Sequence, residues 1–121
     1  MSTLEVSNIS DGTTSVPAGY VVNGSTKSRA AINQTGVVSV VESLNLSSVT
    51  DNGTGYTTIN FASAFVTSSF TVTTGFQRAG SSDLVNTGFS RTTTLNKFEF
   101  YSGGSLADSA LVSLSTEGDL A

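Results

Sequence analysis

Apolar and polar residues alternate in short runs along this chain, and no window repeats apolar residues at three- and four-residue spacing for long. A period of two places successive side chains on opposite faces of an extended strand, whereas a helix needs a period near 3.6. The chain is therefore read as strands separated by turns. In Tyr56–Phe61, Ile59 and Phe61 share one face, with Thr58 and Asn60 on the other. In residues 95–101, Asn96, Phe98 and Phe100 oppose Leu95, Lys97, Glu99 and Tyr101. Phe70, Val72 and Thr74 share a face, and Ala110, Val112 and Leu114 alternate with Leu111, Ser113 and Ser115. Leu84 and Phe89 mark a weaker strand, and residues 27–33 another. Residues 37–49 read as one alternating run, with Val38, Val40, Leu44 and Leu46 on one face and Glu42 interrupting it.

Punctuation between the runs is turn chemistry. Asp11-Gly12, Pro17-Ala18-Gly19, Asn23-Gly24, Asp51-Asn52-Gly53-Thr54-Gly55 and Ser102-Gly103-Gly104-Ser105 all favour reversals. Pro17 offers no backbone donor and suits a turn or an edge. The DNGTG segment between two alternating runs predicts a hairpin. Residues 77–82, QRAGSS, read as a loop.

Seven to nine short strands spaced by turns predict an all-β fold: an antiparallel β-sandwich or jelly-roll-like domain. With 121 residues, one such body is expected. It is placed over residues 24–121, behind a short extended N-terminal arm at 1–23 for docking or oligomerisation. The expected core is Leu44, Leu46, Ile59, Phe61, Phe70, Val72, Phe98, Phe100, Val112 and Leu114. Each contributes roughly 1.5–3 kcal/mol when fully buried, so most of them are needed inside.

Composition narrows the chemistry. The chain has no cysteine and no histidine, which removes thiolate chemistry, disulfides, and the commonest general base and metal ligand. Only 12% of residues are charged, against about a quarter in an average domain. Ser and Thr, about a third of the chain, do the solvating. Five scattered cations in a chain of net charge −4 predict no nucleic-acid partner. No apolar stretch has the length of a membrane span, and the start, MSTLEV, lacks a charged and apolar leader.

Each candidate site in the chain also has a plainer reading. Gly24–Ser28, GSTKS, lacks the spacing of a phosphate loop and reads as a turn. Glu42, Asp51, Glu99 and Asp108 lie on separate strands and loops, so a facing acid pair of glycosidase type is not visible. DNGTG lacks the alternating ligands of a calcium loop. The five Asn-x-Ser/Thr sequons at Asn8, Asn23, Asn33, Asn45 and Asn52 are what chance supplies in such a composition. Arg29, Arg78 and Arg91 suit either solvated strand positions or contacts to anionic partners. Tyr20, Tyr56 and Tyr101 suit subunit packing or stacking on sugars, since a tyrosine has an apolar ring and a polar tip. No catalytic residue, metal site or cofactor is expected.

The stretch from Asn23 to Phe61 resembles a module of marine and freshwater bacteriophage (cyanophage-type) virion proteins. The matching parts are Gly24-Ser25-Thr26-Lys27, Gln34-Thr35-Gly36, residues 43–48 (SLNLSS), the DNGTG hairpin and Asn60-Phe61, with FEFYSGGS near the C-terminus. TLEVSNI resembles the short strand that precedes the module in tail-fibre-like proteins. The family commonly carries an aromatic residue where Arg29 and Ile32 stand here. The resemblance implies a non-enzymatic virion protein, a short fibre, knob or decoration protein, often a homotrimer. Leu4, Val6, Ile9, Tyr20, Arg29, Tyr56 and Tyr101 are the expected contacts to self, to other capsid or tail proteins, or to a host-surface glycan. A capsid cement protein and a carbohydrate-binding adhesion module are the alternatives.

Overall fold

A computed structural model describes residues 2–77 and 83–121. For residues 86–89 only the backbone is described. Arg78 and most of the expected loop at 77–82 lie outside the described residues.

The chain forms an antiparallel β-sandwich. One sheet contains β3 (Thr26–Asn33), β4 (Ser39–Leu44), β7 (Thr71–Phe76) and β11 (Val112–Glu117), in the order β4-β3-β11-β7. The other contains β5 (Leu46–Gly53), β6 (Tyr56–Phe61), β8 (Leu84–Thr92) and β9 (Leu95–Ser102), in the order β8-β9-β6-β5. The short β10 (Ser105–Leu106) pairs with the end of β9. Tyr101 faces Leu84 on one flank and Leu106 on the other, so β10 continues the line of β6. Strands β3-β4, β5-β6 and β8-β9 pair within a sheet, and the chain crosses between sheets in the intervening connections. The last strand returns to lie beside the first strand of the body.

The alternation read from sequence is what fills the space between the sheets. Ile32, Ile59, Phe98, Val112 and Leu114 are buried, joined by Ala30, Phe61, Phe65 and Phe70. Phe61, Phe65 and Phe70 form an aromatic triad with centroid separations of 4.8, 4.9 and 5.5 Å. Such separations lie within the favourable range for aromatic pairs. Gly118 closes against this triad: a Cβ there would lie 3.1 Å from Phe70 Cβ and 3.2 Å from Phe65 Cδ1. Phe100 is buried at the other end of β9 against Phe76, at 5.4 Å. Leu46 and Val72 pack on the core's margin.

Leu44 departs from expectation. It is 48% exposed, not a core residue. Residues 37–49 are not one strand, and two local events separate the side chains that alternation had grouped. First, Ile32 pairs with Val40 and Ala31 with Glu42, which leaves Val41 as an extra residue in a β-bulge. A bulge shifts the alternation by one. Val40 therefore stands opposite buried Ile32, while Leu44 stands opposite exposed Arg29. Second, Asn45 takes a left-handed conformation, φ 53°, and turns the chain from β4 in one sheet to β5 in the other. The hairpin with Tyr56–Phe61 is then made by β5 alone.

Ahead of the sandwich, residues 2–25 fold locally. β1 (Asn8–Ser10) and β2 (Ser15–Pro17) make a two-stranded hairpin, followed by the seven-residue helix α1 (Ala18–Gly24). Asn23 and Gly24 thus end a helix rather than forming the expected tight turn. Pro17 directly precedes α1, where its missing N–H costs no hydrogen bond.

Candidate functional site

Two surfaces gather the residues singled out by sequence. The first is the N-terminal segment. Every residue from 2 to 25 is exposed except the half-buried Ala18. Leu4 is 85% exposed and Tyr20 74%, and Val6, Ile9, Val16, Val21 and Val22 are exposed as well. The hairpin turn is held by Asp11, whose Oδ1 accepts from the Thr13 and Thr14 amides at 2.9 and 2.8 Å. Those backbone donors hold its carboxyl below the ordinary aspartate value. Lys27 ties the end of the segment to the body by donating to the carbonyl of Val22 and, at 2.6 Å, to Ser25 Oγ. An isolated hairpin is at best marginally stable in water, and a seven-residue helix is well short of independent stability.

The second surface lies on the outer face of the β6–β9 sheet. Tyr56 stands directly across from Glu99. The Tyr101 hydroxyl donates to Glu99 Oε2 at 2.8 Å. That bond, more than burial, raises the Tyr101 hydroxyl above the ordinary tyrosine value. Directly paired residues share a sheet face, so Leu84 and Leu106 flank Tyr101 in a row across three strands. Leu84 and Leu106 are exposed, whereas Tyr56, Lys97, Glu99 and Tyr101 are half-buried.

The spacing of the two tyrosines is set beneath them by Gly55. Phe100, just before Tyr101, donates its amide to the Gly55 carbonyl at 2.7 Å. Gly55, just before Tyr56, donates to Asp108 Oδ1 at 2.7 Å. Gly55 has φ 65°, and a Cβ there would lie 2.5 Å from the Ala107 carbonyl oxygen and 2.6 Å from that of Phe100. The DNGTG segment does make the hairpin turn, and its last glycine also anchors the β9–β10 end of the sheet. In the sequence Tyr56 and Tyr101 are two separate tyrosines, 45 positions apart. The row formed with Leu84, Leu106 and Glu99 became visible only through strand register.

The remaining candidates lie apart. Tyr20 is on α1, and Arg29 forms an exposed ion pair with Glu42 across β3–β4. Arg91 donates to the Phe70 carbonyl at 2.9 Å and lies over its ring, 5.4 Å from the centroid. Among the described residues, no group of three or more acidic residues converges in a way that could hold a metal ion. No described helix is long and apolar enough to cross a membrane.

Fold and surface together define an all-β antiparallel sandwich with an appended apolar N-terminal hairpin and helical turn. No protein-family model, curated protein or solved structure matches the chain.

Proposed function

We propose that this protein is a non-enzymatic structural component of a bacteriophage particle, an oligomeric short fibre, knob or decoration protein at the virion surface. The observation that carries the reading is the N-terminal segment, which presents seven large apolar side chains to solvent. Neither of its elements is long enough to hold itself together. Segments of this kind gain their stability by packing on a neighbour, and a ring of identical subunits supplies neighbours by symmetry. The edge strand β4, exposed along its whole length with Val40, Val41 and Leu44 uncovered, adds a second surface that association would protect. The likeness of the Asn23–Phe61 stretch to phage virion modules supplies the setting.

The test is sedimentation of the full chain beside a variant lacking residues 2–23, followed by localisation in intact particles by electron microscopy. The expected result is an oligomer, with three copies as the leading stoichiometry, that becomes a folded monomer on deletion and no longer joins particles. Incorporation of the deleted variant at normal copy number would refute the reading. A copy number approaching that of the shell protein would instead identify a cement protein.

A further inference from the structure

We propose that Asn52 is a self-modification site: the Gly53 backbone nitrogen attacks its side-chain amide, ammonia is lost, and the Asp51 carboxylate is the base. This goes beyond the assembly role and does not depend on it. An asparagine followed by glycine can close a five-membered succinimide, because glycine has no Cβ to crowd the ring. The chain has two such pairs, Asn23-Gly24 and Asn52-Gly53, and the fold treats them differently. Asn23 and Gly24 both lie within α1. A helical amide donates to a backbone carbonyl, which cannot take up its proton. Asn52 lies in the exposed bulge near the end of β5, where Asp51 pairs with Thr57 and Gly53 with Tyr56 while Asn52 is passed over.

The groups around Asn52 are placed for the reaction. The Gly53 N–H donates to Asp51 Oδ1 at 2.9 Å, within the reach of a general base. As the Gly53 nitrogen bonds to Asn52 Cγ, its proton passes to the Asp51 carboxylate. The Cγ–Nδ2 bond then breaks, and the proton departs with that nitrogen as ammonia. The carboxamide is held over the bulge meanwhile, because Nδ2 donates to Thr58 Oγ1 at 2.6 Å. Gly53 has φ 129°, and a Cβ built there would meet nothing within 4 Å, so the ring has room. Solvent water opens the succinimide at one or the other carbonyl, leaving aspartate or isoaspartate at position 52. Both products carry a new negative charge beside Asp51. Isoaspartate also lengthens the main chain by one carbon, just ahead of Gly55 and its bonds to Asp108 and Phe100.

The experiment is incubation of the intact protein in neutral buffer at physiological temperature. Fragment-ion mass spectrometry locates each amide that has become an acid, and labelling by an isoaspartyl methyltransferase counts the isoaspartate. Asn52 should convert ahead of Asn23. Asp51→Asn keeps an oxygen that can accept the Gly53 N–H but cannot take its proton, and Asp51→Ala removes the acceptor. Both variants, verified as folded by their amide dispersion, should slow conversion at Asn52 about tenfold or more. In guanidinium chloride the wild type and Asp51→Asn should convert alike, since the placement of the base is lost. The proposal is overturned if Asn52 stays intact, or if Asn23 converts as fast. It is equally overturned if Asp51→Asn keeps the wild-type rate, since Asp51 would then only hold the turn. Equal slowing by Asp51→Asn in denaturant would also overturn it, because the effect would belong to the local sequence and not to the fold.

Discussion

Asn45 pairs with Ser63 through both ends of its carboxamide, accepting from the Ser63 amide at 2.6 Å and donating to its carbonyl at 3.1 Å. The Asn45 carbonyl also accepts from the Ala62 amide at 3.2 Å. One side chain thus splices the corner between β4 and β5 to the end of β6. The same residue holds φ 53°, a conformation that asparagine tolerates better than most residues with a Cβ.

Replacing Asn45 therefore removes two separable contributions. Asn45→Gly keeps the backbone conformation and loses the pairing, at about 1–2 kcal/mol. Asn45→Ala loses both and should cost about 1 kcal/mol more. Denaturant midpoints of the two variants, at unchanged slope, measure the difference.

Gly55 admits no side chain, because the Ala107 and Phe100 carbonyls occupy the space and its φ is 65°. Gly55→Ala should destabilise by about 3 kcal/mol or more, as strain and displaced backbone add. Asp108→Ala, which only orphans the Gly55 amide, should cost about 1–3 kcal/mol. Thermal melts of both variants give the ranking, and an unaffected Gly55→Ala melt would contradict the close packing.

Leu44 and Phe65 form a paired test of the core. Phe65 is 1% exposed within the aromatic triad, and Phe65→Ala should cost about 3–5 kcal/mol. Leu44, turned outward by the bulge at Val41, should tolerate alanine within about 0.5 kcal/mol. If Leu44 serves as an oligomer contact, its substitution changes association without changing the melt of the monomeric deletion variant.

Two groups give pH dependence of opposite sign. Asp11 has its folded pKa lowered by the Thr14 and Thr13 amides. Its contribution to the hairpin turn is complete above the unfolded value near ~3.9 and fades as pH falls through the lowered folded value. The Thr13 and Thr14 amide resonances should report that loss in acid. Tyr101 has its pKa raised, chiefly by the bond to Glu99. The contribution of that bond is complete below the ordinary tyrosine value near ~10 and is lost as pH rises through the raised folded value. In an ultraviolet titration, Tyr101 should ionise after a normal tyrosine, and Glu99→Gln should bring it down.

Alternation is enough to say which residues face inward along β6, β9 and β11, because it depends only on neighbours one and two positions away. Ile59, Phe61, Phe98, Phe100, Val112 and Leu114 were all identifiable before any partner strand was known. DNGTG likewise declared its hairpin through the conformational freedom of its glycines. Tertiary structure alone decided where that alternation breaks and which strands meet. The bulge at Val41 exists because β3 pairs with both sides of it, and the corner at Asn45 is held by Ser63, eighteen positions further along the chain. The same holds for the surface patch. Tyr56, Leu84, Tyr101 and Leu106 come from four strands, and only hydrogen-bond register across those strands brings them onto one face.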